Sequence, residues 1–114
     1  MLNLNSADSI GIVLTTESNL DNARILAHKI LEKKFAACIS FQEIKSIYWW
    51  KDKLATGNEI QLTIKTQIES IDKLIEFIKT IHNYENPELI FFNASSSNSY
   101  LNWIKEVTEI KDIL

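Results

Sequence analysis

Glycine and proline are almost missing, with two glycines and one proline in 114 residues. A chain this poor in breakers has no long flexible linkers, so its helices and strands must follow one another closely. The single cysteine, Cys38, excludes an internal disulfide and suits a reducing compartment. Apolar runs fall far short of a bilayer span, so the sequence demands no membrane-crossing helix. Positive charge is not in excess either. A net charge of −3 and a pI near 5.3 leave no electrostatic footprint for nucleic acid. Residues 1–9 lack the basic segment and apolar core of a secretory signal, which makes the cytoplasm the expected location and Asn93-Ala94-Ser95 a chance sequon.

What is there is ordinary globular material, 46% hydrophobic and 24% charged, in an amount that builds one core. Residues 1–114 are therefore expected to form a single domain. Residues 9–16 alternate Ile10, Ile12 and Leu14 with Gly11, Val13 and Thr15, a strand with both faces covered. Ser18 with Asp21 resembles a helix N-cap, and Leu20, Ala23, Ala27, Ile30 and Leu31 give one helical stripe running to about residue 33. A second strand is predicted over 36–40. It passes a disturbed stretch at 41–45 and resumes over 46–50, where Ile47 and Trp49 oppose Tyr48 and Trp50, one face for the domain's own core and the other for a partner.

A turn over 51–58 leads to a half-solvated strand over 59–66. Thr66 and Glu69 read as a capping box for a second helix with the stripe Ile68, Ile71, Leu74, Ile75, Ile78 and Ile81, closed by Asn83 in a left-handed cap. Residues 88–93 are predicted as a core strand and Ser95 to Ser99 as a mobile surface loop. Tyr100, Leu101, Ile104, Val107 and Ile110 mark a last helix. The order β-α-β-β-α-β followed by α implies an α+β, ferredoxin-like sandwich with an additional C-terminal helix.

Catalytic chemistry finds few candidates. Only His28 and His82 could act as imidazole bases, and the chain carries no Gly-rich phosphate loop, no C-x-x-C and no H-E-x-x-H, so it is not read as an enzyme. His28, one turn before Glu32, reads as an ordinary surface pair. Thiolate and imidazole select copper or zinc, so Cys38, His82 and a carboxylate would make a metal site if the fold gathered them. Cys38, between Ala37 and Ile39, also reads as a small buried hydrophobe.

Six segments in order, I-V-L-T-T (12–16), F-A-A-C-I (35–39), S-I-Y-W-W-K (46–51), E-I-Q-L-T-I-K-T (59–66), H-N-Y-E-N-P-E (82–88) and Y-L-N-W-I (100–104), resemble the CutA family of divalent-cation tolerance proteins. The resemblance implies a homotrimer with the long second and third strands pairing between subunits, and binding of copper or other divalent metal ions. It also implies Cys38, His82 and Glu88 as metal ligands, with Lys65, Tyr84 and Trp50 lining the same intersubunit region. A trimeric signalling module that binds a small anion or metabolite in that cleft is the alternative. The chain departs from the family pattern at residues 41–45, which lack a Pro-Gly bulge. It also carries Asp52 in place of a turn glycine, no glycine within 95–99, and Asn83 where proline is usual.

Overall fold

The computed structural model describes residues 8–109. Its elements are β1 (Ser9–Glu17), α1 (Leu20–Glu32), β2 (Cys38–Trp50), β3 (Lys53–Thr66), a 3-10 turn (Ile68–Ser70), α2 (Ile71–Ile81), β4 (Ile90–Ser95) and α3 (Asn98–Thr108). Among the described residues the strands make one sheet in the order β2-β3-β1-β4, every neighbouring pair antiparallel. The two β-α-β units interleave, as the ferredoxin-like reading requires, and α3 is the additional helix. No helix among these residues is long and apolar enough to cross a membrane.

The alternation in β1 sends its two sets of side chains into two different cores. Val13 joins Leu62 and Ile64 of β3 against Ala23, Leu26 and Ile30 of α1 and Leu74 and Ile78 of α2. Ile10 and Ile12 point the other way, onto Leu101 and Ile104 of α3. Each fully buried Leu or Ile contributes about 1.5–3 kcal/mol, so the sheet is held from both sides at its β1 centre. Gly11 is needed there because α2 begins directly on top of it. A Cβ at Gly11 would lie 2.6 Å from Ile71 Cδ1 and 2.7 Å from its Cγ1.

Several boundaries differ from the sequence reading, each for a local reason. The N-cap of α1 is Asn19, whose side chain accepts from the Asn22 N–H at 2.8 Å, and not Ser18. The helix stops at Lys34, which has φ 60°. Its N–H donates to Leu31 O while that of Phe35 donates to Ile30 O, the two bonds of a Schellman end. Thr66 caps nothing; it is buried in the strand and its hydroxyl donates to Phe35 O at 2.8 Å. Asn83 does not close α2 in a left-handed conformation, since His82 takes the C-cap position with extended backbone. Within the serine patch, Ser95 ends β4 and the Ser97 side chain caps α3. The expected contribution of Ile110 to that helix lies outside the described residues.

The largest correction concerns β2. No disturbance occurs over 41–45: thirteen residues of β2 pair in unbroken register with β3, from Cys38 opposite Lys65 to Trp50 opposite Lys53. Without the Pro-Gly pair nothing inserts an extra residue, so no bulge forms. The long turn over 51–58 shrinks to Lys51 and Asp52, with φ 50° and 64°. Two positive values define a type I′ turn, whose twist matches that of the paired strands.

Two substitutions follow from this packing. Gly11→Ala forces Ile71 off its seat and should destabilise the fold by about 1–3 kcal/mol, read as a lower thermal midpoint. Asp52→Gly relieves a left-handed residue at the turn and should raise that midpoint, by about 0.5–1 kcal/mol of stability.

Candidate functional site

β1 ends at Glu17, opposite Ile60, whereas β3 begins seven residues earlier at Lys53. From Lys53 to Glu59 the β2–β3 pair therefore leaves the body as a two-stranded ribbon. At its root is a cleft of about 390 Å³ whose walls include Ser18, Glu43, Lys45, Asn58 and Glu59. Beside it the chain following α2 is fastened to the end of β1.

That fastening is a buried polar cluster. The His82 side chain is 0% exposed and that of Glu17 1%. His82 Nε2 lies 2.8 Å from Thr16 O and 3.3 Å from Thr15 Oγ1, while Nδ1 lies 2.9 Å from the Tyr84 backbone N. A carbonyl only accepts and a backbone N–H only donates. Nε2 therefore carries the proton, Nδ1 accepts, and the ring is neutral. The Glu17 carboxylate, with Oε2 3.9 Å from Nδ1, accepts from the Ser18 N–H and the Asn83 side-chain amide, each at 3.1 Å. Next to it the Tyr84 hydroxyl donates to Glu59 Oε2 at 3.1 Å. Burial, then the hydrogen bond to Glu59 and its negative charge, push this hydroxyl from 10.0 up to about 12.

The residues named from sequence are spread along the length of the β2–β3 pair and the segment before β4. Cys38 and Lys65 face each other at its inner end, in the row that also contains Ile12 and Phe92. Cys38 is a half-buried free thiol, and Lys65 Nζ sits 5.8 Å over the Tyr100 ring. His82 is level with Thr16, Gln61 and Gln42, four residues or roughly 13 Å farther along. Trp50 is at the tip, twelve residues or roughly 40 Å from Cys38. Glu88 is exposed, in the segment before β4. Among the described residues no three His, Cys, Asp or Glu side chains converge to hold a metal ion. One chain thus does not assemble a site from Cys38, His82 and Glu88. Sequence reasoning missed Glu17, Glu59 and Asn83. A carboxylate closing an apolar strand, as Glu17 does, was the available sign of a buried polar anchor.

Comparison with known proteins settles the lineage. The family model described as CutA1 divalent ion tolerance protein matches residues 11–107. The chain belongs to the CutA family. It is 36% identical over 103 residues to Protein CutA of Mus musculus, covering 89% of this chain and 58% of that protein. It is 31% identical over 98 residues to the divalent-cation tolerance protein CutA of Archaeoglobus fulgidus, covering 85% and 96%. The chain spans only a little over half the length of the mammalian relatives it matches. Among solved structures, CutA from Synechococcus elongatus superposes with a TM-score of 0.86 at 31% identity, over 90% of this chain and 92% of that one. The Archaeoglobus fulgidus structure, described as a periplasmic divalent cation tolerance protein, gives 0.84 at 30% identity over 88% and 99%. The CutA fold is thus retained although the turn glycine is replaced by Asp52.

Glu59→Gln removes the charge beside Tyr84. Its hydroxyl midpoint should fall from about 12 toward 10.0, followed by NMR titration of labelled tyrosine. Because the folded value is the higher one, the stability this bond adds is complete below pH 10 and disappears as the pH rises to about 12. In Glu59→Gln, denaturant unfolding should show a smaller loss of stability between pH 10 and about 12, because the folded and unfolded values then nearly coincide.

Proposed function

We propose that this chain works as a homotrimeric divalent-cation tolerance protein of CutA type, its functional cleft formed where the ribbon of one copy lies on the body of the next. The observation that carries this reading is the ribbon itself. Trp49 is 73% exposed and Ile47 74% on one face; Trp50 and Tyr48 are exposed on the other. With Phe41 and Leu54 they leave large apolar side chains uncovered on both faces of the ribbon, which marks an interaction surface. The expectation that one face belongs to the chain's own core does not hold, because neither face is covered. β4 was expected in the core as well, and it is an edge strand with Ile90, Phe91 and Phe92 exposed.

Two open edges, β2 and β4, lie on opposite sides of one sheet. Head-to-tail contact between two different surfaces closes into a ring when the rotation allows, and three is the number we propose, as the family resemblance implies. Such a ring can bring together residues that one chain holds apart. Cys38 and Glu88, a thiolate and a carboxylate from different subunits, are the proposed cation contacts, and copper or zinc suits that pair. Lys65 and Lys45 are roughly 23 Å apart along the β2–β3 pair, so these two do not gather to hold an anion within one chain. The single thiol favours the cytoplasm.

Light scattering should give one species of three times 13.1 kDa. Trp49→Glu with Phe91→Glu should yield monomer, since burying either charge would be costly. Titration calorimetry of the trimer with zinc or copper should show saturable binding that weakens about tenfold or more in Cys38→Ser and in Glu88→Gln. A monomeric wild type would refute the assembly, and a trimer without saturable metal binding would move the cleft to the metabolite reading.

A further inference from the structure

We infer that His82 is a positioning residue, its ring clamping the segment that carries Tyr84 and Glu88 onto the end of β1, and that it does not ligate the cation. The inference deepens the proposed function, and depends on it only for where the cleft lies.

A metal takes the lone pair of a deprotonated ring nitrogen, and His82 offers none. Its Nε2–H donates to Thr16 O at 2.8 Å, and the Nδ1 lone pair receives the Tyr84 N–H at 2.9 Å. Ligation through Nε2 would move the proton to Nδ1, where it would meet the Tyr84 N–H head-on, and would leave the Thr16 carbonyl unpaired. Ligation through Nδ1 would expel the Tyr84 amide. Either route dismantles the clamp, and the side chain is already 0% exposed. A metal-bound histidine normally holds its second nitrogen with a partner and leaves the first open. Here both are spent on backbone.

The clamp has three strands of attachment within three residues. His82 grips β1 and the Tyr84 amide; Asn83 donates to Glu17; Tyr84 donates to Glu59 on β3. The ring centroids of His82 and Tyr84 are 4.9 Å apart, so the imidazole also supports the phenol from the side. Tyr84, kept protonated by its surroundings up to about pH 12, is a permanent donor at the root of the cleft. Glu88 follows four residues later, after the bends over residues 83–86 and Pro87.

Asn and Gln each reproduce half of the clamp and are poor metal ligands: Asn can accept the Tyr84 N–H, and Gln can donate to Thr16 O. The test uses the trimer labelled with nitrogen-15 histidine, with and without zinc, beside His82→Ala, His82→Asn and His82→Gln. The expected spectrum shows one neutral tautomer protonated at Nε2, unchanged at saturating zinc. The Tyr84 amide should exchange about tenfold faster or more in His82→Ala, with part of the protection restored in His82→Asn. Zinc affinity should follow the same order, partly retained in the Asn and Gln variants. A zinc-induced change at either ring nitrogen, an Nδ1-protonated tautomer, or Asn and Gln variants as defective as Ala would overturn the inference. Should the wild type bind no zinc, the metal reading fails by itself. The tautomer and the Tyr84 amide in zinc-free protein still decide the role of His82.

Discussion

The thirteen consecutive pairs between β2 and β3 are the constraint on which the remaining features of this molecule depend. An isolated two-stranded ribbon is marginal in water, and this one extends well past the helices that cover its inner half. Its free strand edges and its aromatic side chains are the features that proteins ordinarily hide. The radius of gyration, 15.6 Å, exceeds the roughly 13 Å of a compact chain this long, which is the dimension of the protruding arm. Association of copies removes the exposed edge and the exposed aromatic area together. In the assembly proposed above, folding of the outer ribbon and association would be one event, and the stability of this part would belong to the oligomer.

The same geometry explains why functional residues are scattered in one chain. A sheet core packed on both faces at β1 leaves no interior space for a site, so polar groups collect at its end, where the ribbon departs. The cluster of Glu17, His82, Asn83 and Tyr84 occupies that corner, and its hydrogen bonds fix the approach of the chain into β4. Buried polar groups without partners are costly, so a network this complete gives one arrangement of the corner and disfavours others. In the proposed assembly, rigidity there would serve a cleft whose opposite wall comes from a neighbour.

The central elements of the fold were readable because their physical signals are local. Alternation in residues 9–16 and the stripes of the first two helices each report burial by the chain itself, and β1, α1 and α2 lie where those patterns put them. The pattern failed where burial is not the chain's own. Leu89 to Phe92 are as apolar as a core strand, yet β4 is an edge, since hydrophobicity does not say which molecule provides the cover. The break expected at 41–45 did not form, because pairing with β3 runs unbroken through those residues. At the site, His82 was recognisable as important from its position after a helix before Pro87. The hydrogen-bond partners of its ring, Thr16 O and the Tyr84 amide, were not, because they depend on three-dimensional placement. Glu59 looked like a strand's solvent face and is instead the acceptor for Tyr84.

Native-state hydrogen exchange along β2 tests the account most directly. Backbone N–H groups of β2 that point away from β3 have no strand beside them among the described residues, so protection of these amides is expected from another copy. The account predicts that those amides exchange as slowly as the amides of β1 at concentrations where the protein is assembled, and that protection is lost on dilution or in an interface variant. Outer-edge amides that exchange at unprotected rates while β1 stays protected would contradict it, leaving the ribbon a free arm.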